Sequence, residues 1–199
     1  MNRPKVIVIG LDGATWDLIK PWAENGELPT FKKLMANGSW GILESVIPPV
    51  TPPAWVSLAT GKNPAKHGII DFIDLNDANN KSKRIINSND INSKTIFDIL
   101  SNSGIKCLIQ NYPLTYPVKK INGIMISDWL SGKDNYVYPP ELKKYLDSKK
   151  YEFSPNVKVT KEDFIGEVTR IVKKQLNLFK EFLDQNIDFG VYVLSLIHI

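Results

Sequence analysis

Apolar residues along the chain alternate between short β-branched blocks and stripes at helical spacing. Lys5–Leu11 reads KVIVIGL, a short run that predicts a strand buried on both faces, as in a parallel sheet. Asp12-Gly13 breaks it. Trp16, Leu18, Ile19 and Trp22 then repeat at helical spacing as far as Gly26, with Pro21 placed to kink or end that helix. Pro29-Thr30 opens a second helix carrying Phe31, Leu34 and Met35, closed by Asn37-Gly38. Trp40–Val46 predicts another strand. Further on, the pattern predicts a helix over Thr95–Leu100, a strand over Ile105–Gln110, a short strand over Ile124–Ser127 and a short helix over Pro139–Leu146. Thr160–Gln185 is the clearest helix: Val168, Ile171, Gln175, Phe179 and Phe182 line one face, and Thr160 with Asp163 resembles a helix-start box. Asp188–Leu194 predicts a last buried strand. Strands alternating with helices give an α/β fold, a mostly parallel sheet with helices on both faces.

Two stretches break this rhythm. Ile47–Pro53 reads IPPVTPP, with four prolines at 48, 49, 52 and 53, which excludes a central strand or a helix interior. Pro52 and Pro53 can instead open a helix running to Ala59 and closed by Thr60-Gly61, which puts Thr51 at the N-cap. Residues 74–92 are rich in Asn, Asp, Ser and Lys and read as a surface excursion within one domain spanning residues 1–195.

Composition narrows the class. The 199 residues are 43% hydrophobic and 23% charged, which excludes disordered and fibrous chains and is enough for a sizeable core. The net charge of +4 comes from lysines scattered among acids, not striped, which speaks against a nucleic-acid partner. The one cysteine, Cys107, excludes an intrachain disulfide and reads as a core thiol. Neither a signal peptide nor a run of about 20 apolar residues is visible, so a cytoplasmic protein without a transmembrane segment is expected.

Ligands gather at the carboxyl ends of strands in open α/β sheets, which directs attention to Asp12. Its carboxylate suits a divalent cation, although an Asp-Gly turn or helix cap is the commoner role. Thr51 stands at a helix start, where the dipole and the amides of Ala54 and its neighbours favour a phosphate. Its hydroxyl becomes a nucleophile when a metal lowers its pKa; the plain alternative is an ordinary N-cap. His67, followed by Gly68, reads as a hydrogen-bonded structural residue, and Lys62 and Lys66 as surface charges. The five tryptophans read as core or groove aromatics. Asp12–Thr15, DGAT, is a short match to the phosphate loop of sugar-kinase-like ATPases. Neither a Walker A nor a G-x-S-x-G pattern occurs.

Three blocks in order, VIVIGLDGATWDLI, LPTFKKLMANGSWG and IPPVTPPAWVSLATGKNPAKHGIIDF, resemble the amino-terminal half of the alkaline phosphatase superfamily, in its type I phosphodiesterase and nucleotide pyrophosphatase branch. The resemblance implies an alkaline-phosphatase-like fold and a hydrolase with two divalent ions, zinc or alternatively manganese. It implies that Asp12 and Thr51 are ligands of one ion and that Thr51 is the nucleophile, passing through a phospho-threonine. The substrate would be a small-molecule or lipid-linked phosphoester, diester or monoester.

The chain departs from that pattern in three places. Thr51-Pro52-Pro53-Ala54 stands where the branch often has Thr-Phe-Pro-Asn, and Phe72 where it has an asparagine, so a nucleotide substrate loses two of its contacts. Beyond Ser195 the expected Thr-Asp-x-x-x-His is replaced by Leu196–Ile199. That closing stretch reads as a non-native tail on a domain incomplete at its C-terminus. The second metal site is then not encoded, the strand at 188–194 lies at a raw end, and the apolar faces meant for the missing half are exposed. An inactive, aggregation-prone fragment follows, or else a non-catalytic binding module that keeps half of the fold.

Overall fold

The computed structural model describes residues 5–74, 84–154 and 160–195. Residues 75–83 of the predicted excursion and the expected tail at 196–199 lie outside these. The elements run β1 (Val6–Asp12), α1 (Trp16–Glu24), α2 (Pro29–Asn37), α3 (Thr51–Thr60), α4 (Pro64–His67), α5 (Ile96–Asn102), β2 (Cys107–Gln110), β3 (Gly123–Ile126), β4 (Val137–Tyr138), α6 (Leu142–Ser148), α7 (Lys161–Leu183) and β5 (Phe189–Ser195). The sheet has the order β1-β5-β2-β3-β4. All of its pairings are parallel except the short β3–β4 pair.

The two-residue period of the strands divides the core. Leu108, Ile124, Ile126 and Tyr192 face α7, against Leu178, Phe179 and Phe182. Cys107, Ile109, Met125, Val191 and Val193 face the other way, against Ala59 of α3 and Phe97 of α5. Gly190 allows α7 to lie close: a Cβ there would sit 2.9 Å from Leu183 Cδ2 and 3.3 Å from Phe179 Cζ. The fold is α/β with helices on both faces, as the alternation predicts. Helix ends follow local chemistry. Thr160 caps α7 through the amide of Asp163, and Thr95 with Asp98 closes a reciprocal capping box on α5.

Two expectations are corrected, and one strand arises that none predicts. β1 is an edge strand, with Ile7 and Ile9 47% and 54% exposed, because only β5 pairs with it among the described residues. β5 sits between β1 and β2 and is buried from Gly190 to Val193, as the apolar run at 188–194 predicts. Residues 40–46 form no strand: apolar residues alone do not make one, since a strand also needs a ladder partner. This segment is tied instead to α1 through the Trp16 indole, which donates to the Gly41 carbonyl at 3.1 Å and packs on Trp40. Last, β4 forms without a sequence signal, its two residues gaining their ladder from β3.

Candidate active site

Asp12 is the final residue of β1 and pairs in register with Ser195, the final residue of β5. Both therefore lie at the carboxyl edge of the parallel sheet, where the βα connections leave room for a ligand. Thr51 reaches the same place from α3. Both Asp12 and Thr51 are buried.

The start of α3 differs from the sequence expectation by one residue, with chemical consequences. Val50, not Thr51, is the N-cap. Pro52 and Pro53 have no N–H, so the first amide able to close a turn is that of Ala54, whose partner four residues back is Val50 (3.1 Å). Two corrections follow. The Ala54 amide is not free for an anion; Thr51 is the one residue at this helix start whose amide lacks a backbone partner among the described residues. And the Thr51 hydroxyl is not used as a cap. Among the described residues it meets only the Asp12 carboxylate, at 3.5 Å to Oδ1 and 3.4 Å to Oδ2, well beyond the 2.7–2.8 Å usual for a hydroxyl–oxygen hydrogen bond.

Two more residues complete the surroundings of Asp12. The Trp55 indole N–H donates to Oδ1 at 3.1 Å, and the Ser195 hydroxyl donates to Oδ2 at 3.3 Å. Trp55 follows Thr51 by four residues, one helical turn, so both project from the same face of α3. That spacing is visible in the sequence. The Ser195 contact is not, since it depends on the β1–β5 register across 183 residues.

His67 does not join this site. It is fully buried, with Nε2 2.9 Å from Ser57 Oγ and Nδ1 accepting from the Ile69 amide at 3.2 Å. The proton therefore sits on Nε2. Burial lowers its pKa, opposed by a hydrogen bond to the Pro53 carbonyl. A neutral His67 thus ties α4 to the first turn of α3, the structural role expected of it. Lys62 donates to Ser93 Oγ at 3.1 Å on the surface, and Lys66 is exposed. Phe72 packs near Trp129, with ring centroids 6.2 Å apart.

The donor set suits a divalent cation in part. Among the described residues no Lys or Arg pairs with Asp12, and a buried carboxylate without a counter-charge is costly unless a cation is held there. Oδ2 meets only long hydroxyl contacts and keeps lone pairs available. Asp12 and Thr51 would supply one carboxylate and one hydroxyl. Among the described residues, His, Cys, Asp and Glu side chains form no group of three that could hold an ion, so these residues cover part of one coordination shell and not a metal pair.

Among the described residues, no helix is long and apolar enough to cross a membrane. None of the curated proteins compared with the chain matches it. Two solved structures of phosphonoacetate hydrolase from Sinorhizobium meliloti 1021 share its fold. The complex with phosphonoacetate superposes with a TM-score of 0.71 at 18% identity, over 98% of this chain and 46% of that one. The complex with phosphonoformate gives 0.71 at 19%, with the same coverage. The fold is thus alkaline-phosphatase-like, and the chain spans about half the length of that hydrolase. The sequence pattern of a family named for phosphoester and pyrophosphate cleavage matches residues 6–196. The chain belongs to the type I phosphodiesterase / nucleotide pyrophosphatase family.

Proposed function

We propose that residues 1–195 form part of a metal-dependent phosphoester hydrolase in which Thr51 is the nucleophile. The observation that carries this reading is the pairing of an uncapped, buried Thr51 hydroxyl with an uncompensated Asp12 carboxylate at the carboxyl edge of the sheet. A hydroxyl left out of the helix cap is available for chemistry, and the helix N-terminus favours the charge of a phosphoryl group.

Thr51 Oγ1 forms a bond to phosphorus as the bond from phosphorus to the leaving oxygen breaks, and the hydroxyl proton passes to solvent. Water then cleaves the phospho-threonine and restores the hydroxyl. Asp12 and Thr51 would hold a divalent cation, zinc or manganese, which when bound supplies Lewis-acid stabilisation of charge on oxygen. Further ligands must come from outside the described residues, so these residues alone would hold an ion weakly and turn over slowly. Phe72 beside Trp129 lacks the polar group of an asparagine. Non-nucleotide phosphodiesters, phosphomonoesters and lipid-linked phosphates suit the site better than nucleotides.

The test is turnover of bis(p-nitrophenyl) phosphate and p-nitrophenyl phosphate with Zn²⁺ or Mn²⁺. Thr51→Ala should lower any rate by about a thousandfold or more, on the scale of losing a nucleophile, with the thermal midpoint retained. Acid-quenched protein should carry a phosphoryl adduct on Thr51 by peptide mass spectrometry. Phosphoester binding without turnover or adduct would mark the chain as a non-catalytic module.

A further inference from the structure

An aspartate side chain rotates about two bonds, and its two oxygens serve distinct partners only when one setting is held. Around Asp12 the hydroxyls of Thr51 and Ser195 stand 3.3–3.5 Å away, too far to hold it firmly. The firm contact is a single N–H, the Trp55 indole on Oδ1 at 3.1 Å.

The donor is itself fixed from three directions. Its ring lies over the end of β1 where residue 10 is a glycine, and a Cβ there would sit 2.4 Å from Trp55 Cη2. Tyr112 meets the ring edge-on, with centroids 5.3 Å apart and planes at 80°. The Tyr112 hydroxyl donates to the Trp55 carbonyl at 2.7 Å, clamping the same residue through its backbone.

An indole suits this task chemically. It donates and cannot accept, so it cannot turn over to offer a competing lone pair. It carries no charge, so unlike Lys or Arg it holds the carboxylate without neutralising it. By occupying Oδ1 it leaves lone pairs on Oδ2, which the Thr51 and Ser195 hydroxyls meet at the long distances of 3.4 and 3.3 Å. Because Trp55 and Thr51 are one turn apart, α3 presents the hydroxyl and the group that orients its partner as one rigid unit.

The geometry points to Trp55 as a positioning residue: its indole N–H holds Asp12 Oδ1 and so fixes the setting of the carboxylate whose two oxygens stand 3.5 and 3.4 Å from Thr51 Oγ1. The consequence for turnover rests on the hydrolase reading above, whereas the hydrogen bond itself does not.

Trp55→Phe keeps a ring against Tyr112 and removes the N–H. In proton–nitrogen correlation spectra of the labelled chain, the indole signal lost in that variant identifies Trp55 among the five tryptophans. In Asp12→Ala this signal should move and its exchange with deuterated solvent should quicken about tenfold, while the other four indole signals and the Thr51→Ala spectrum stay as in the parent. A Trp55 signal unmoved in Asp12→Ala overturns the inference. Where turnover is measurable, Trp55→Phe should lower kcat about tenfold, the scale of losing a partner behind a ligand, with KM within about twofold. Unchanged kcat overturns it as well. Absence of any Thr51-dependent turnover would sink the hydrolase reading alone, because the spectra still decide the hydrogen bond.

Discussion

Asp12 and Asp128 are both buried carboxylates at the carboxyl edge of one parallel sheet, Asp12 ending β1 and Asp128 two residues past β3. Their surroundings are opposite. Asp128 accepts the Leu114 amide on Oδ2 at 2.7 Å and the Leu130 amide on Oδ1 at 2.9 Å, stapling the loop after β2 to the loop after β3. Among the described residues, Asp12 receives one indole and otherwise only long hydroxyl contacts. Burial and strand-end position are common to both, so neither marks a functional carboxylate. What separates them is lone pairs already committed to backbone amides against lone pairs left available.

That contrast can be broken by mutation. Asp128→Ala should cost about 4 kcal/mol in urea denaturation, because two backbone amides lose their acceptor at about 1–3 kcal/mol each. A loss under about 1 kcal/mol would mean that solvent replaces the carboxylate and that Asp128 is no staple.

The next effect is on pH. Burial raises the Asp128 pKa from 3.8 to about 6, against the lowering effect of its amide donors. The folded state then keeps a proton that the unfolded chain has released. Stability from this group is full below about pH 4 and falls as pH rises through 6, by about 3 kcal/mol in all. Asp128→Asn should lack this fall, so the stability difference between parent and variant should change in that window. A difference constant from pH 4 to pH 7 would contradict the assignment.

The smallest effect carries the opposite sign. Asp12→Asn removes an uncompensated buried charge and keeps an oxygen for the Trp55 indole, so stability should rise by about 1 kcal/mol while Thr51-dependent turnover is lost. A fall in stability would put Asp12 with Asp128, as scaffold.

Much of the scaffold is legible along the chain because its causes are local. Pro29 at the start of α2, Gly38 after its end, Thr160 before α7 and the β-branched run of β1 each act within one or two turns. What escapes is whatever depends on a distant partner. Residues 40–46 are apolar enough for a strand but find no ladder among the described residues, and Val137–Tyr138 lacks a pattern but finds one. Gln175 follows the apolar stripe of α7, yet its side chain accepts from Asn111 and Tyr192 and donates to the Glu152 carbonyl. It is the buried centre of a polar network that helical spacing alone does not distinguish from a leucine position.

The site divides the same way. Asp12 and Thr51 are visible as residue types at strand and helix junctions, and Trp55 through its spacing from Thr51. The anion-binding amides expected after Thr51 fail for a local reason: two prolines remove two donors and the first turn takes the third. Asp128 offers no signal, since the amides that define it belong to turns at Leu114 and Leu130 that only the folded loops create.

The pairing of β1 with β5 also sets a timetable for the chain on the ribosome. Asp12 and Ser195 touch across 183 positions, and at roughly 5–20 residues per second that interval lasts on the order of 10–40 s. Throughout it β1 lacks β5, the strand that pairs with it among the described residues, and Val6, Ile7 and Ile9 present both their apolar side chains and their backbone groups to whatever is nearby. A nascent chain of this design is expected to depend on a holding chaperone over β1 until β5 emerges.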